Sequence, residues 1–165
     1  MNEDIRDAKK RSSFIEIDEI TDAIEMVNDD WDGFLDLEKM EVIWLAKPSL
    51  MGFYKERDER WELIENRPDR FVKLPQKCEI DDYRIMEGFV CSIDERKIHS
   101  ELSEAIRGKG AFRKFKKALY NCGAEEQWYS YQRSEYEKTA IRWCEINEIP
   151  FFAKEGGCKC RDTTV

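Results

Sequence analysis

Apolar residues change their spacing partway along this chain, and that change limits the folds open to it. In the first half they recur at every second position. Trp31, Gly33, Leu35 and Leu37 share one parity, and Val42-Ile43-Trp44-Leu45 follows as a β-branched and aromatic run. Both patterns are strand signals, so two short strands joined at Glu38–Met40 are expected. In the second half the spacing becomes three and four. Ile80, Tyr83, Met86, Val90 and Ile93 share a helical face, and Ile98, Leu102, Ala105 and Ile106 make the next, stopped at Gly108. A helix beginning near Gly110 should bury Phe112, Phe115 and Leu119. The last, starting near Ala124, should carry Tyr129, Tyr136, Ala140, Trp143 and Cys144 inward and run out before Pro150. Strands first and helices later imply an α+β fold: a small antiparallel sheet in the N-terminal half packed with a helical C-terminal half.

Smaller signals fill the gaps. Phe14, Ile15 and Ile17 suit a short strand. Asp18 can cap a helix in which Ile20, Ala23, Ile24 and Val27 fall at helical spacing. Pro48 and Gly52 mark a loop, Lys55 to Asn66 reads as a charged surface helix, and Phe71, Val72 and Leu74 form a strand ended by Pro75. The 165 residues are enough for one domain or two very small ones. We expect a flexible arm over 1–12, a single α+β domain over 13–152 and a flexible tail over 153–165. Trp, Tyr and Phe number 5, 6 and 9, too many for a disordered chain. No apolar run approaches the roughly 20 residues of a membrane span. The opening MNEDIRDAKKRSS has no apolar core, so a cytoplasmic protein with no membrane partner is expected. Its six cysteines should then be reduced.

Charge is unevenly placed. From Glu16 to Glu41 there are eleven acids against one base, Lys39, a net of −10 within a chain whose total is −8. The opposite extreme is Arg107 to Lys117, where Arg107, Lys109, Arg113, Lys114, Lys116 and Lys117 stand with no acid. Such asymmetry bears on partners and association rather than on fold.

Three motifs carry chemistry on paper. Asn28 to Lys39, NDDWDGFLDLEK, counts like a calcium loop, with Asp30, Asp32, Gly33 and Asp36 at loop positions 3, 5, 6 and 9. Position 12, which needs a bidentate carboxylate, is Lys39. The stretch therefore reads as an acidic turn entering a strand. In GGCKC, Cys158 and Cys160 could grip a soft metal, but a structural zinc site needs four ligands and His99 is the only histidine. No metal and no cofactor are expected. In AIRGKGAFRKFKKAL, Gly108 and Gly110 flank Lys109 at a helix junction. Free N–H groups at the helix start, with Arg107, Lys109, Arg113, Lys114 and Lys117 around them, can hold an anion. The stretch is not a Walker loop, lacking the upstream Gly and the Ser/Thr after Lys. The bland alternative is a solvated basic face with Phe112 and Phe115 as core. With one histidine, nucleophilic catalysis would depend on His99, and Asp81/Asp82 read as a helix cap.

The order of ITDAIEM, the WDGFLDL…EVIWL strand pair, FVKLP, IMEGF, LSEAIRGKGAFRKFKKAL and WYSYQRSEYEKTAIRWCEINEI resembles the bacterial Uncharacterised Protein Family 0158 over roughly residues 14–150. The family closes its strand pair with a Thr-Gly turn where this chain has Glu38-Lys39-Met40, and its Leu after Trp is Cys144 here. The resemblance implies an α+β domain and a hairpin instead of a calcium loop. It implies no activity and transfers no catalytic or ligand residue.

The leading functional expectation is a small binding or regulatory module. It would meet RNA, a phosphate ligand or an acidic protein surface through the basic helix. The alternatives are an enzyme with a pocket lined by Trp128, Tyr129, Tyr131 and carboxylates such as Glu87, and a module for protein–protein contact or self-association.

Overall fold

Strands and helices follow the two spacings. The computed structural model describes residues 14–47 and 59–153. Along the chain these form β1 (Ile15–Glu16), α1 (Ile17–Met26), β2 (Trp31–Asp36), β3 (Glu41–Ala46), α2 (Glu59–Asn66), β4 (Phe71–Lys73), a 3-10 turn (Lys77–Glu79), α3 (Asp82–Ser92), α4 (Arg96–Ala105), α5 (Ala111–Cys122), α6 (Glu125–Ile146) and β5 (Phe151–Phe152). The arm over 1–12, the loop expected at Pro48 and Gly52, the helix start expected at Lys55, and the tail with Cys158 and Cys160 lie outside the described residues.

The three-stranded sheet is antiparallel in the order β3-β2-β4, with Phe34 opposite both Ile43 and Lys73. Because successive side chains alternate, β2 serves two layers. Gly33 and Leu35, with Val42, Trp44, Val72 and Leu74, face the main core. Phe34, with Ile43, Leu45 and Phe71, faces the other way and is covered by Trp61 and Ile64 of α2. Trp61 meets Phe34 edge to face at 5.7 Å and donates its indole N–H to the Ala46 carbonyl at 3.1 Å. A central strand covered on both faces buries five consecutive residues, Asp32 to Asp36. The glycine among them has a steric reason. A Cβ on Gly33 would lie 2.7 Å from Leu74 Cδ1 and 2.9 Å from the Trp44 ring.

The main core joins α1, the inner sheet face and the C-terminal half of α6: Ile17, Ile20, Ile24 and Leu35 pack with Tyr136, Ala140, Trp143 and Cys144. A second core joins α3, α4, α5 and the start of α6 through Met86, Phe89, Leu102, Phe115, Leu119 and Trp128. Phe89, Phe115 and Trp128 form a set of edge contacts with centroids 4.9–6.2 Å apart.

Several expectations need correction. Ile17 opens α1 instead of extending β1. Glu16 is the N-cap residue, and Asp18 lies in the first turn, where its charge favours the helix dipole without capping. Phe112 is 49% exposed and Tyr129 58% exposed, so neither is core. Each is one position, or ~100° of helix, past the residue that takes the inward place, Ala111 and Trp128. Tyr83, assigned to the inner face of α3, is 39% exposed and donates its hydroxyl to the Ile106 carbonyl at 3.0 Å. The unexpected strand is β5. It pairs in parallel with β1, and the Ile15 N–H donates to the Pro150 carbonyl at 3.1 Å.

Two acids buried on the α2 side of the sheet find cations on β4 and on the turn that leads into it. Asp32 meets Lys73 at 3.2 Å. Asp36 takes a two-pronged contact from Arg70, at 2.8 and 2.6 Å, and accepts the Glu38 N–H at 3.0 Å within the hairpin turn. Arg70 also reaches Glu38 at 2.6 Å, and Arg67 joins Glu38 to Asp69. The Arg70 guanidinium, followed by the turn N–H groups, holds the Asp36 carboxyl below the usual carboxylate range against the opposing effect of burial.

Two outcomes follow from this geometry. Gly33→Ala should destabilise the fold by about 1–3 kcal/mol in urea unfolding, because the Trp44 ring has to shift. Asp36→Ala should cost about 1.5–3 kcal/mol, since it removes the two-pronged contact and leaves Arg70 only its pair with the exposed Glu38. The native pKa of Asp36 is depressed, so its contribution is complete above the unfolded value near ~4 and is lost as pH falls below it. A stability-against-pH series should therefore be flatter below pH ~4 in Asp36→Ala than in the wild type.

Candidate anion-binding surface and an interhelical groove

The basic stretch forms a corner. Helix α4 ends at Ala105, Gly108 (φ 70°) and Gly110 (φ 72°) turn the chain in the left-handed region, and α5 starts at Ala111. That region suits glycine and little else. No side chain caps α5, so its first N–H groups point out of the corner. Arg107, Lys109, Arg113, Lys114, Lys116 and Lys117 are all exposed. Arg107 makes a loose pair with Glu104 at 3.4 Å, and Lys114 Nζ lies 3.5 Å from the Arg107 carbonyl. Lys109, Arg113, Lys116 and Lys117 have no acidic partner among the described residues. The five residues singled out from sequence thus share one corner and one helix. Lys116 belongs with them, and the i, i+4, i+8 spacing of Phe112, Lys116 and Tyr120 is the signal that identifies it.

The acidic segment is differently arranged. Arg133 of α6 sits among Asp18, Asp22 and Glu25 of α1 at 3.5, 2.5 and 3.4 Å. These acids therefore help dock α1 onto α6. In NDDWDGFLDLEK the carboxylates point to separate tasks. Asn28 Oδ1 accepts the N–H groups of Asp30 and Trp31 at 2.9 and 3.1 Å, while Asp32 and Asp36 are tied to Lys73 and Arg70. The stretch is the entry to a hairpin. Met40 closes the turn at φ 54°, a left-handed position.

A groove of about 840 Å³ runs between α3 and α6. Its floor includes Ile80, Ile85 and Trp143, and its walls carry Arg84, Lys138 and Arg142 beside Glu87 and Glu135. Tyr131 and Glu87 of the expected enzyme pocket are here. Trp128 is instead buried in the second core and Tyr129 points to solvent, so the four do not assemble. Tyr131 can lie close over α3 because position 88 is glycine: a Cβ there would sit 2.5 Å from the phenol oxygen.

A polar chain pins α3 to α6. Lys77 pairs with Asp82, Asp82 accepts the Tyr136 hydroxyl at 2.8 Å, and Tyr136 accepts from Gln132 at 3.2 Å. Burial, then the Asp82 carboxylate, push the Tyr136 phenol above the ordinary range. Asp81, as expected, is the cap, accepting the Arg84 N–H at 3.0 Å. Burial also drives the Cys144 thiol up to about 11, which removes it from the range of a nucleophile at neutral pH. His99 is exposed on α4, 3.5 Å from the Ser103 hydroxyl. Among the described residues no three His, Cys, Asp or Glu side chains group so as to hold a metal ion, and no helix is long and apolar enough to cross a membrane.

Comparison with known proteins gives a family and no activity. A family model described as Uncharacterised protein family (UPF0158) matches residues 10–162. The UPF0158 protein PA5073 of Pseudomonas aeruginosa is 25% identical over 146 residues, 88% of this chain and 90% of that protein. No solved structure matches the chain.

Tyr136→Phe should lower stability by about 1–2 kcal/mol. It removes a hydrogen bond to a charged group while keeping the ring. Thermal melting followed by near-UV circular dichroism would report both the loss and the retained packing.

Proposed function

The chain belongs to the uncharacterised protein family UPF0158, whose name assigns no activity, and from its geometry we propose a small cytoplasmic binding module, built as one α+β unit, that holds a phosphate-bearing polyanion on the α4–α5 corner. One observation carries this reading: six exposed cations from Arg107 to Lys117 with no acid among them, on a protein whose net charge is −8. An acidic protein does not attract polyanions by overall charge, so attraction here is local to this face. The uncapped start of α5 adds partial positive charge at the same corner. Arg107 and Lys109 precede that start, while Arg113, Lys114 and Lys117 lie within the next two turns.

Neutralising three to five phosphates of a single strand releases their counterions. The logarithm of affinity should then fall against the logarithm of salt concentration with a slope of roughly −2 to −3.5. Fluorescence anisotropy with a labelled 12-nucleotide single strand, competed by inorganic polyphosphate, measures this directly. Wild type should bind both at low salt, and the double variant Lys109→Glu/Arg113→Glu should lose at least tenfold with its thermal stability intact. Absence of binding by wild type at low salt would remove the proposal.

A further inference from the structure

The outward face of α5 carries more than charge. At ~100° per residue, Phe112, Lys116, Tyr120, Arg113 and Lys117 follow one another around an arc of about 140°. The buried residues Ala111, Phe115 and Leu119 fill a separate arc of about 80°, with Leu119 bordering Phe112. Phe112 is 49% exposed and Tyr120 is 73% exposed, so two aromatic rings stand in solvent among three cations. Neither ring takes part in an aromatic contact or a cation–π contact among the described residues, although Phe89, Phe115, Trp128 and Tyr131 nearby in the fold do. A single exposed aromatic is ordinary. Two on one helix face, separated by a lysine and flanked by an arginine and a lysine, form a repeating aromatic–cation surface.

A bare polyanion has no use for those rings, and a duplex hides its base faces in the stack. A single strand offers both what the rings and what the cations can take. Its phosphates pair with Arg113, Lys116 and Lys117, and its bases have flat π-faces that stack on aromatic side chains without regard to sequence. Along α5 the two rings are eight residues apart, about 12 Å at 1.5 Å per residue. That is too far for two neighbouring stacked bases, so the strand between the rings would pass Lys116.

We propose that α5 is a binding face for single-stranded nucleic acid, with Phe112 and Tyr120 as stacking platforms and Arg113, Lys116 and Lys117 as phosphate contacts. This rests on the reading of the corner as a polyanion site and names the ligand class. The rings read no base edge, so the face tolerates any sequence. They are side chains on a rigid helix, held by Phe115 and Leu119 beneath, so binding orders little else.

The test uses the full chain and three probes: a mixed-sequence 12-nucleotide single-stranded RNA, the same sequence as a duplex, and inorganic polyphosphate. Wild type should bind the single strand more tightly than the duplex. Phe112→Ala and Tyr120→Ala should each weaken the single strand roughly tenfold and leave polyphosphate binding and the salt slope where they were. Tyr120→Phe, which keeps the π-face, should bind as wild type. Both positions are exposed, and melting curves confirm that the variants fold. Alanine variants that bind the single strand like wild type, while Lys116→Ala/Lys117→Ala weakens all three probes, would overturn the stacking proposal and leave the basic corner standing. Failure of wild type to bind any of the three would overturn both.

Discussion

The fold depends on a single helix being buried along two different sides. Over its 22 residues α6 gives Trp128 to the core made with α3, α4 and α5, then gives Tyr136, Ala140, Trp143 and Cys144 to the core made with α1 and the sheet. Neither core is enclosed without it. A helix used in this way has no single apolar stripe. Its polar residues are spent on its neighbours: Arg133 on the acids of α1, Tyr136 and Gln132 on Asp82 of α3, and the Trp143 indole N–H on the Lys73 carbonyl at 3.2 Å. The elements that pack on α6 divide between its two halves, while α2 lies apart on the outer face of the sheet.

How far the sequence discloses this varies with the physical signal. Period-two runs located β2 and β3, and helical spacing located α3 through α6, because burial on one side leaves a pattern in the residues themselves. What the pattern does not carry is the width of the buried side. Phe112 and Tyr129 sit beside inward residues and share their chemistry, so only the packed neighbours reveal that the cover ends there. Strand β5 has two residues and therefore no period to detect. The alternation of β2 was readable, but not the fact that its second face is also covered, because Asp32 and Asp36 look like surface residues until Lys73 of β4 and Arg70 of the turn before it reach them. For the candidate site, charge density was visible in the sequence as a run. The aromatic half of that face was concealed by the reasonable habit of assigning phenylalanine to the core.

The two charged regions turn out to differ in kind. The acidic segment looked like one half of a polar contrast. In the folded chain much of it is structural: Asp18, Asp22 and Glu25 surround Arg133, Asp32 and Asp36 lie within the sheet layer, and Asn28 shapes the hairpin entry. The basic segment has few such obligations. Its lysines and arginines make few pairs within the fold, and this separates the surface at α5 from the acid-rich helix that the sequence made equally conspicuous.

The small β1–β5 pair ties together positions that are far apart in the chain. Ile15 lies opposite Phe151, so the pairing closes a loop of about 135 residues. The entropy of closing such a loop grows with the logarithm of its length and far exceeds what two residues of strand can return. The pair can form only after α1 and α6 have already brought the two ends together. It is therefore a latch on a finished structure, not a seed for it. A latch of this sort can open and close on its own, at the low-stability end of the molecule, without loosening either core.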